Sequence, residues 1–311
     1  IIANGISLTI RQEQPDTPGQ QNKKPLLIPF KVAFLGTDQK ALPSTYNKKS
    51  QHEHLLEITD REQTFKFKGL AGDAIPSLLR GFTAPVRLKA VTSQRETLIS
   101  LAAETDSFNK YEATQQLAEQ MIGKPQLPVE YTDAFRSLLK ASEQDPYLTS
   151  LTLQIPSVDT LVNQRDQVDV DAVFQDHKRY LKQLAEASYA DLLATYKTLK
   201  NADPAGMDQV SSARRELRNT CLALLAASEK DEALTLVKSH YRESKTMTDT
   251  IAALSILSSS EDPDRETFLR DFYQKWEHDA LVIDKWFAAQ AGSNHPNVLQ
   301  HVQSLLKHRD F

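Results

Sequence analysis

Cysteine is almost absent from this chain, since Cys221 is the only one among its 311 residues. A single thiol excludes a disulfide within the chain and is typical of reducing compartments, so we expect a cytoplasmic protein. Leu217, Leu224 and Leu225 flank Cys221 at helical spacing. This pattern predicts that the thiol is buried as a small hydrophobic group and does not act as a nucleophile.

Long apolar runs and an excess of basic charge are also lacking. No stretch approaches the ~20 apolar residues that a membrane-spanning helix needs, so we expect no membrane partner. The formal net charge of −4 gives no reason to expect a nucleic-acid partner. Residues 1–5 have neither the basic nor the hydrophobic region of a signal peptide. Because they also lack an initiator Met, we expect the chain to begin inside a longer polypeptide.

The composition changes near residue 92. Seven of the 14 prolines and six of the nine glycines precede that position. Between these turn residues the sequence has extended runs, at 7–12, 26–36, 54–59, 63–70 and 77–90. Short strands separated by turn signals, without a helical period, are typical of a β-sandwich. We therefore predict a small immunoglobulin-like β-sandwich domain over residues 1–92.

Beyond about Ser93 the apolar residues follow a helical period. Phe268, Phe272 and Trp276 recur every four residues, and Asp262 followed by Pro263 predicts the start of that helix. Polar or small residues interrupt such stripes at irregular intervals, and no repeat consensus recurs. Stacked antiparallel helices of this kind form HEAT-like or armadillo-like superhelices. We therefore predict an all-α superhelical domain over residues 93–311.

Motifs of the common enzyme classes are missing. The chain has no Gly-x-Ser-x-Gly elbow, no Walker loop and no dinucleotide fingerprint. The zinc motif His-Glu-x-x-His is approached only at His52, where Leu56 replaces the second His. We interpret His52 and His54 as an exposed pair on a loop that enters a strand; a metal site that joins them to distant partners is the weaker alternative. The sequence therefore predicts no catalytic residue and no metal ligand in this chain.

Several stretches resemble one enzyme family, in the family's order. They are residues 62–88, 108–113, 215–222, 247–249, 281–287 and 305–311. Together they resemble the C-terminal part of bacterial aminopeptidase N, a family of zinc aminopeptidases. The chain departs from the family at Thr246, where the family usually has Asn. The family also continues beyond Phe311, so we expect the helical domain to be truncated at its C-terminus.

The resemblance implies what the intact polypeptide does. It would release N-terminal amino acids from peptides by means of a zinc-activated water. Zinc and the His-Glu-x-x-His motif would lie in the N-terminal and catalytic domains, which are missing here and are the expected partners of this chain, together with peptide substrates. The present chain would be inactive alone, would contain no cofactor, and would cap the active site and restrict substrate access.

One candidate cluster is Met247, Thr248 and Asp249. The resemblance places these residues at a helix start that faces the internal cavity of the helical domain. The simpler interpretation is that Thr248 or Asp249 caps a helix that begins near Ile251.

A second candidate cluster is Asp284, Lys285 and Trp286. These residues could form an interface with the catalytic domain. The simpler interpretation buries Trp286 and Phe287 in the core and leaves Asp284 and Lys285 in solvent.

A different class of function also fits the residues. A freestanding module, in which a sandwich is joined to a helical superhelix, could grip a protein or peptide on its concave face without catalysis. The missing initiator Met, and the lack of a polar helix after Leu306, favour the aminopeptidase interpretation.

Overall fold

The computed structural model describes residues 5–165, 167–202 and 205–311. We predicted that the chain has no signal peptide at its start and begins inside a longer polypeptide. Residues 1–4, on which this prediction mainly depends, lie outside the described residues. Strands occupy the first part of the described chain and helices occupy the rest. This order confirms the predicted fold class.

Eight strands form two antiparallel sheets in the described part of the chain. The strands are β1 (Gly5–Arg11), β2 (Ile28–Leu35), β3 (Ala41–Leu42), β4 (Ser44–Tyr46), β5 (Lys49–Gln51), β6 (Glu53–Ile58), β7 (Glu62–Lys68) and β8 (Ile75–Leu78). One sheet has the order β1-β7-β4-β5, and in the other β2 pairs with β3, β6 and β8. Two such sheets are the architecture of a β-sandwich.

Alternation along the strands decides which side chains enter the core. Phe65 and Phe67 of β7 are buried, whereas the residues between and beside them are exposed. Leu8 of β1 lies opposite Phe65 in the antiparallel register. Phe67 packs edge-on against Phe34 of β2, with ring centroids 4.8 Å apart. The core therefore lies between the two sheets and is anchored by aromatic rings.

The extended run predicted at 77–90 is wrong beyond Leu78, where β8 ends. Leu79, Gly81 and Phe82 have left-handed backbones, with φ of 55°, 64° and 48°. Left-handed residues cannot continue a strand, so the chain turns away from the sheet. Of the run predicted at 77–90, only the part within β8 forms a strand among the described residues.

The three short strands between β2 and β6 were not predicted. Strands of two or three residues are too short to show alternation. The turn between β4 and β5 consists of Asn47 and Lys48, with φ of 48° and 65°. Two successive left-handed residues are what a tight two-residue hairpin requires.

Twelve α-helices follow in the described residues. They are α1 (Gln94–Ala103), α2 (Ser107–Met121), α3 (Val129–Lys140), α4 (Pro146–Thr152), α5 (Val158–Asn163), α6 (Val170–Asn201), α7 (Gln209–Ala227), α8 (Asp231–Glu243), α9 (Met247–Ser259), α10 (Arg265–Trp276), α11 (Ala280–Ala291) and α12 (Val298–Leu305). The first begins at a capping box, in which Ser93 and Glu96 satisfy each other's backbone N–H groups.

Helix α10 begins later than predicted. Its first residue is Arg265, with Asp264 at the N-cap position. Asp262 lies before the helix, where its Oδ1 accepts from the backbone N–H of Asp264 at 2.8 Å and is also 2.8 Å from Lys238 Nζ. The predicted start at Asp262 and Pro263 is therefore early by a few residues, because a turn precedes the first helical residue.

The chain divides into two compact units. The first comprises the chain up to Met121 together with residues 155–157, and the second comprises 122–154 and 158–311. The change from strands to helices falls where the 1–92 and 93–311 domains were predicted to meet. Helices α1 and α2 nevertheless pack with the strands of the first unit.

A buried polar cluster fastens these two helices to β8. The guanidinium of Arg80 is paired with the carboxylate of Glu104, and both residues are 5% exposed. Ser77 donates to Glu104 over 2.6 Å and accepts from Arg80 at 3.0 Å. Asn109 of α2 donates to Ser77 at 2.8 Å and to the carbonyl of Leu78 at 2.9 Å. These bonds span β8, α1 and α2 within one unit.

The second unit is built around α6 and α7, which pack closely together. Leu184 and Leu192 of α6 and Leu217 and Leu225 of α7 are fully buried. Helices α4, α8 and α9 also contact α7 or each other. Apolar stripes on these helices therefore form the core on which the site described next is built.

Candidate functional site

The second unit contains a cavity of about 470 Å³. Nine described residues line it: Tyr196, Lys200, Ala205, Arg218, His240, Glu243, Ser244, Lys245 and Asp249. They lie on α6, α7, α8 and α9 and on the connections α6–α7 and α8–α9. The lining is rich in charged and hydroxyl groups.

Helical spacing brings pairs of these residues to one face. Tyr196 and Lys200 are four apart on α6, and His240 and Glu243 are three apart on α8. Asp249 lies in the first turn of α9. The carboxylate thus meets the positive end of the helix dipole.

A chain of polar contacts links all four helices. The hydroxyl of Tyr196 lies 2.8 Å from Nδ1 of His240, and Nε2 of His240 lies 3.7 Å from Oδ1 of Asp249. Arg218 Nη2 donates to Oδ2 of Asp249 at 2.7 Å, and Thr246 Oγ1 donates to the same oxygen at 2.8 Å. An ionised carboxylate only accepts hydrogen bonds. The 3.7 Å separation of His240 Nε2 from Asp249 Oδ1 is longer than a hydrogen bond, so the carboxylate is held by Arg218 and Thr246.

Burial and charge act in opposite directions on Asp249. Burial alone would raise the pKa of this carboxyl group, but His240, Arg218 and Thr246 together lower it well below its ordinary value. Burial is the main cause that raises the pKa of Tyr196 to about 12. At neutral pH the site therefore holds an ionised carboxylate beside a neutral phenol.

A second ion pair stands at the rim. Lys200 Nζ lies 2.6 Å from Glu243, which also accepts from the hydroxyl of Ser239 at 2.5 Å. Hydrogen bonds from Lys200 and Ser239 lower the pKa of Glu243. Both carboxylates of the lining, Asp249 and Glu243, therefore accept hydrogen bonds from neighbouring side chains.

The described residues contain no group of three or more His, Cys, Asp and Glu side chains that could hold a metal ion. Neither hydroxyl among the described lining residues is activated as a nucleophile: that of Tyr196 has a raised pKa, and that of Ser244 donates to the carbonyl of His240 at 2.7 Å. Its arrangement of charged groups is suited to binding a polar molecule.

Of the first predicted cluster, Asp249 lines this cavity, whereas Met247 and Thr248 are not among the lining residues. The alternative, in which Thr248 or Asp249 caps a helix starting near Ile251, is wrong. Helix α9 begins at Met247 and Thr246 is its N-cap, with Oγ1 accepting from the backbone N–H of Asp249. Asp249 is 2% exposed and is committed to its ion pair.

The second predicted cluster lies on α11. Trp286 is 8% exposed, and its Nε1 donates to the carbonyl of Leu269 at 2.8 Å. Its ring packs against Tyr273 and Phe287. Asp284 and Lys285 are exposed. These residues are therefore arranged as in the simpler interpretation, with Trp286 in the core and Asp284 and Lys285 in solvent. An interface with a catalytic domain stays a prediction.

The histidines near the β4–β5 hairpin differ from the expected exposed pair. His52 is exposed, but His54 lies in β6, is 1% exposed and sits 2.9 Å from the hydroxyl of Ser44. Burial lowers the pKa of His54. His54 is therefore a core residue, because its position in β6 points its side chain between the sheets.

Sequence reasoning missed Tyr196 and His240 as site residues. Each lies on an amphipathic helix, where no local signal marks a polar partner on another helix. Arg218 of α7 is held in an ion pair with Asp249. Cys221, on the same helix, is fully buried, and burial raises its pKa to about 12, as the prediction of an inert thiol requires.

Family models match nearly the whole chain. Residues 94–311 match a domain of unknown function described as ARM repeats (DUF3458_C), and residues 2–91 match one described as an Ig-like fold (DUF3458).

No helix among the described residues is long and apolar enough to span a membrane.

Three curated proteins that resemble this chain are each named Aminopeptidase N. Aminopeptidase N of Escherichia coli is 34% identical over 98% of this chain, and that of Haemophilus influenzae is 32% identical over 98%. Aminopeptidase N of Caulobacter vibrioides is 30% identical over 90%. The chain spans only 36%, 36% and 32% of the length of these three proteins.

A solved structure shows the same fold. The crystal structure of Legionella pneumophila aminopeptidase A in complex with aspartic acid superposes with a TM-score of 0.82 at 23% identity. The match covers 99% of this chain and 36% of that one.

Proposed function

Because this chain belongs to the DUF3458_C family and resembles Aminopeptidase N over 98% of its length, we propose that it is the non-catalytic C-terminal portion of a zinc aminopeptidase. The intact enzyme would release N-terminal amino acids from peptides in the cytoplasm. The missing N-terminal and catalytic domains of the same polypeptide would be the partners of this chain.

The observation that carries the proposal is the coverage of the matches. Nearly all of this chain aligns with about a third of each relative, so about two thirds of such a polypeptide has no counterpart here. The His-Glu-x-x-His motif that a zinc aminopeptidase requires is not in this sequence.

The residues that the structure describes do not fit a catalytic zinc ion. The described part offers no set of three ligands, and His54 is enclosed in the sandwich core. We therefore assign no chemical step to this chain. Its role would be to cap the active site, so that peptides enter and folded proteins do not. Such a cap acts through shape and by excluding water from the reaction.

The size of the native polypeptide tests the proposal. An antibody raised against this chain should detect a band far above 35.0 kDa in a lysate of the source cells. Tryptic peptides from that band should include His-Glu-x-x-His. A band at 35.0 kDa would contradict the proposal and support a freestanding binding module.

A deletion tests the proposed restriction of access. The intact enzyme and a variant that ends before this chain would be compared on a short peptide and on a folded protein with the same N-terminal residue. We expect the variant, where it stays folded, to gain activity on the folded protein relative to the peptide. An unchanged ratio in a folded variant would contradict the capping role.

A further inference from the structure

The hairpin formed by β4 and β5 has few backbone bonds to the rest of its sheet. In the described part of the chain β5 pairs only with β4, and β4 meets β7 at a single residue pair, Thr45 with Lys68. A two-stranded hairpin on its own is marginally stable in water. Side-chain contacts must therefore hold this hairpin in place.

The imidazole of His54 makes such contacts with both strands of the hairpin. Nε2 of His54 lies 2.9 Å from the hydroxyl and 3.1 Å from the carbonyl oxygen of Ser44 in β4. Nδ1 lies 3.2 Å from Nε2 of Gln51, the residue of β5 that pairs with Ser44. His54 belongs to β6 of the other sheet and is 1% exposed. One buried ring therefore joins the hairpin to the opposite sheet.

The neutral imidazole is the form that satisfies these partners. A carbonyl oxygen only accepts hydrogen bonds, so Nε2 carries the proton, and an amide nitrogen only donates, so Nδ1 accepts. A second proton, on Nδ1, would face the N–H of Gln51 and remove that bond. The ring also packs against Tyr46 and Phe67, with centroids 5.9 and 5.5 Å away, and burial lowers the pKa of His54.

The charged side chains on the described strands around His54 offer a protonated ring no counter-ion. They are Lys31 on β2, Lys49 on β5, Glu62, Lys66 and Lys68 on β7, and Glu53 and Glu57 on β6 itself. The three carboxylates are exposed, and alternation directs Glu53 and Glu57 to the side of β6 opposite His54. Glu53 is also paired with Arg80. The titratable residue in contact with the ring is Tyr46.

We propose that His54 makes the β4–β5 hairpin sensitive to pH: protonation of its imidazole releases the hairpin, while the pairings of β1 with β7 and of β2 with β6 are kept. A histidine in solvent titrates near pH 6.5. Because the pKa of His54 is lowered while the hairpin is closed, the closed form is fully stabilised above about pH 6.5 and loses stability as the pH falls below it. The equilibrium constant for opening should rise up to about tenfold for each unit of pH between the two pKa values. This device is independent of the proposed capping function.

Hydrogen exchange followed by mass spectrometry, on the full 311-residue chain at pH 7.5, 6.5 and 5.5, tests the proposal. After correction for the intrinsic exchange rate, peptides that cover β4 and β5 should lose protection in acid, whereas peptides from β1 and β2 should keep it. Loss of protection in all strands together would show general acid unfolding and would overturn the proposal. So would a hairpin that is equally protected at pH 7.5 and 5.5.

His54→Gln should abolish this response, because an amide does not titrate in this range. His52→Gln is the matched control, since His52 lies two residues away and is exposed, and it should respond like the wild type. A response that persists in His54→Gln, or that disappears in His52→Gln, would contradict the assignment to His54.

Gln51→Glu tests the same ring without altering the core, because Gln51 is exposed. A carboxylate beside Nδ1 would accept from the protonated ring, so the pKa of His54 should rise and the hairpin should stay protected at pH 5.5. NMR of histidine-labelled chain follows the imidazole directly: in the wild type at pH 6.5, His54 should be neutral with its proton on Nε2. A wild-type His54 that is protonated at pH 6.5, or a Gln51→Glu hairpin that opens in acid as the wild type does, would overturn the proposal even if His54→Gln fails to fold.

Discussion

The pair of Arg80 and Glu104 is expected to hold α1 and α2 to β8. The two side chains are 7% and 2% exposed, so neither charge is solvated in the folded chain. In Glu104→Ala the guanidinium keeps one carboxylate, Glu53, whose Oε1 accepts from Arg80 Nε at 2.8 Å and whose side chain is 44% exposed. It also keeps the hydroxyls of Ser77 and Thr105, each at 3.0 Å. Removing one partner of a buried ion pair costs about 3–5 kcal/mol. Because Glu53 remains, we expect a loss of about 3 kcal/mol, at the lower end of that range.

Glu104→Gln removes the charge but keeps the hydrogen bonds to the backbone. One carboxylate oxygen of Glu104 accepts from the backbone N–H groups of Thr105 at 2.8 Å and Asp106 at 2.9 Å, and the other accepts from the hydroxyl of Ser77. A glutamine whose oxygen faces the backbone keeps the first two bonds, but its amide cannot accept from Ser77, whose oxygen already accepts from Arg80 and Asn109. Because the backbone bonds remain, we expect a loss of about 2 kcal/mol, smaller than for Glu104→Ala.

Hydrogen exchange followed by mass spectrometry is the appropriate assay. Trp276 and Trp286 both lie in the second unit, so tryptophan fluorescence does not report on this cluster. Peptides that cover β8, α1 and α2 should lose protection in both variants, and more in Glu104→Ala. Glu53→Gln, at a half-exposed partner of Arg80, should cost at most about 1 kcal/mol. The reasoning is refuted if Glu104→Ala costs less than Glu53→Gln, or if Gln and Ala are equally destabilising.

Three further predictions concern the second unit. Asp249→Asn should lower the free energy of unfolding by about 3 kcal/mol at pH 7, measured by urea unfolding. Because the pKa of Asp249 is lowered in the folded chain, the difference between wild type and variant should shrink as pH falls below about 4. A difference that grows in acid would contradict this. Asp284→Asn, on an exposed side chain, is its control. Cys221, whose pKa is raised to about 12, should react with a thiol reagent at pH 8 only after unfolding, and rapid labelling of the native chain would show that it is accessible. Phe272→Ala, at a fully buried ring, should lower stability by about 3–5 kcal/mol in the same urea assay, and a loss under about 1 kcal/mol would show that the ring is not core.

Local patterns predicted the order of elements because they depend only on neighbours in the sequence. The alternation around Phe65 and Phe67 specifies a strand with one buried face, and the spacing of Phe268 and Phe272 specifies a helix with one buried face. The burial of Cys221 followed from the same spacing. The start of α10 was predicted a few residues early, because Asp262 accepts from the backbone N–H of Asp264 in the turn that precedes the helix.

The cavity could not be predicted because its residues come from separate helices. Periodicity gives the buried face of α6 or α8 but not which helix packs on it, so Tyr196 and His240 carried no sign that they would meet. Asp249 was singled out by resemblance alone, and its ion pair with Arg218 depends on how α7 and α9 cross. The sequence by itself determined the strand-then-helix architecture, the inert thiol and the missing zinc motif, since these are local properties. Only the tertiary structure decided which buried charges are paired, as Arg218 is with Asp249. A charged side chain is stable in the interior only if a residue of another helix or strand lies close enough to pair with it.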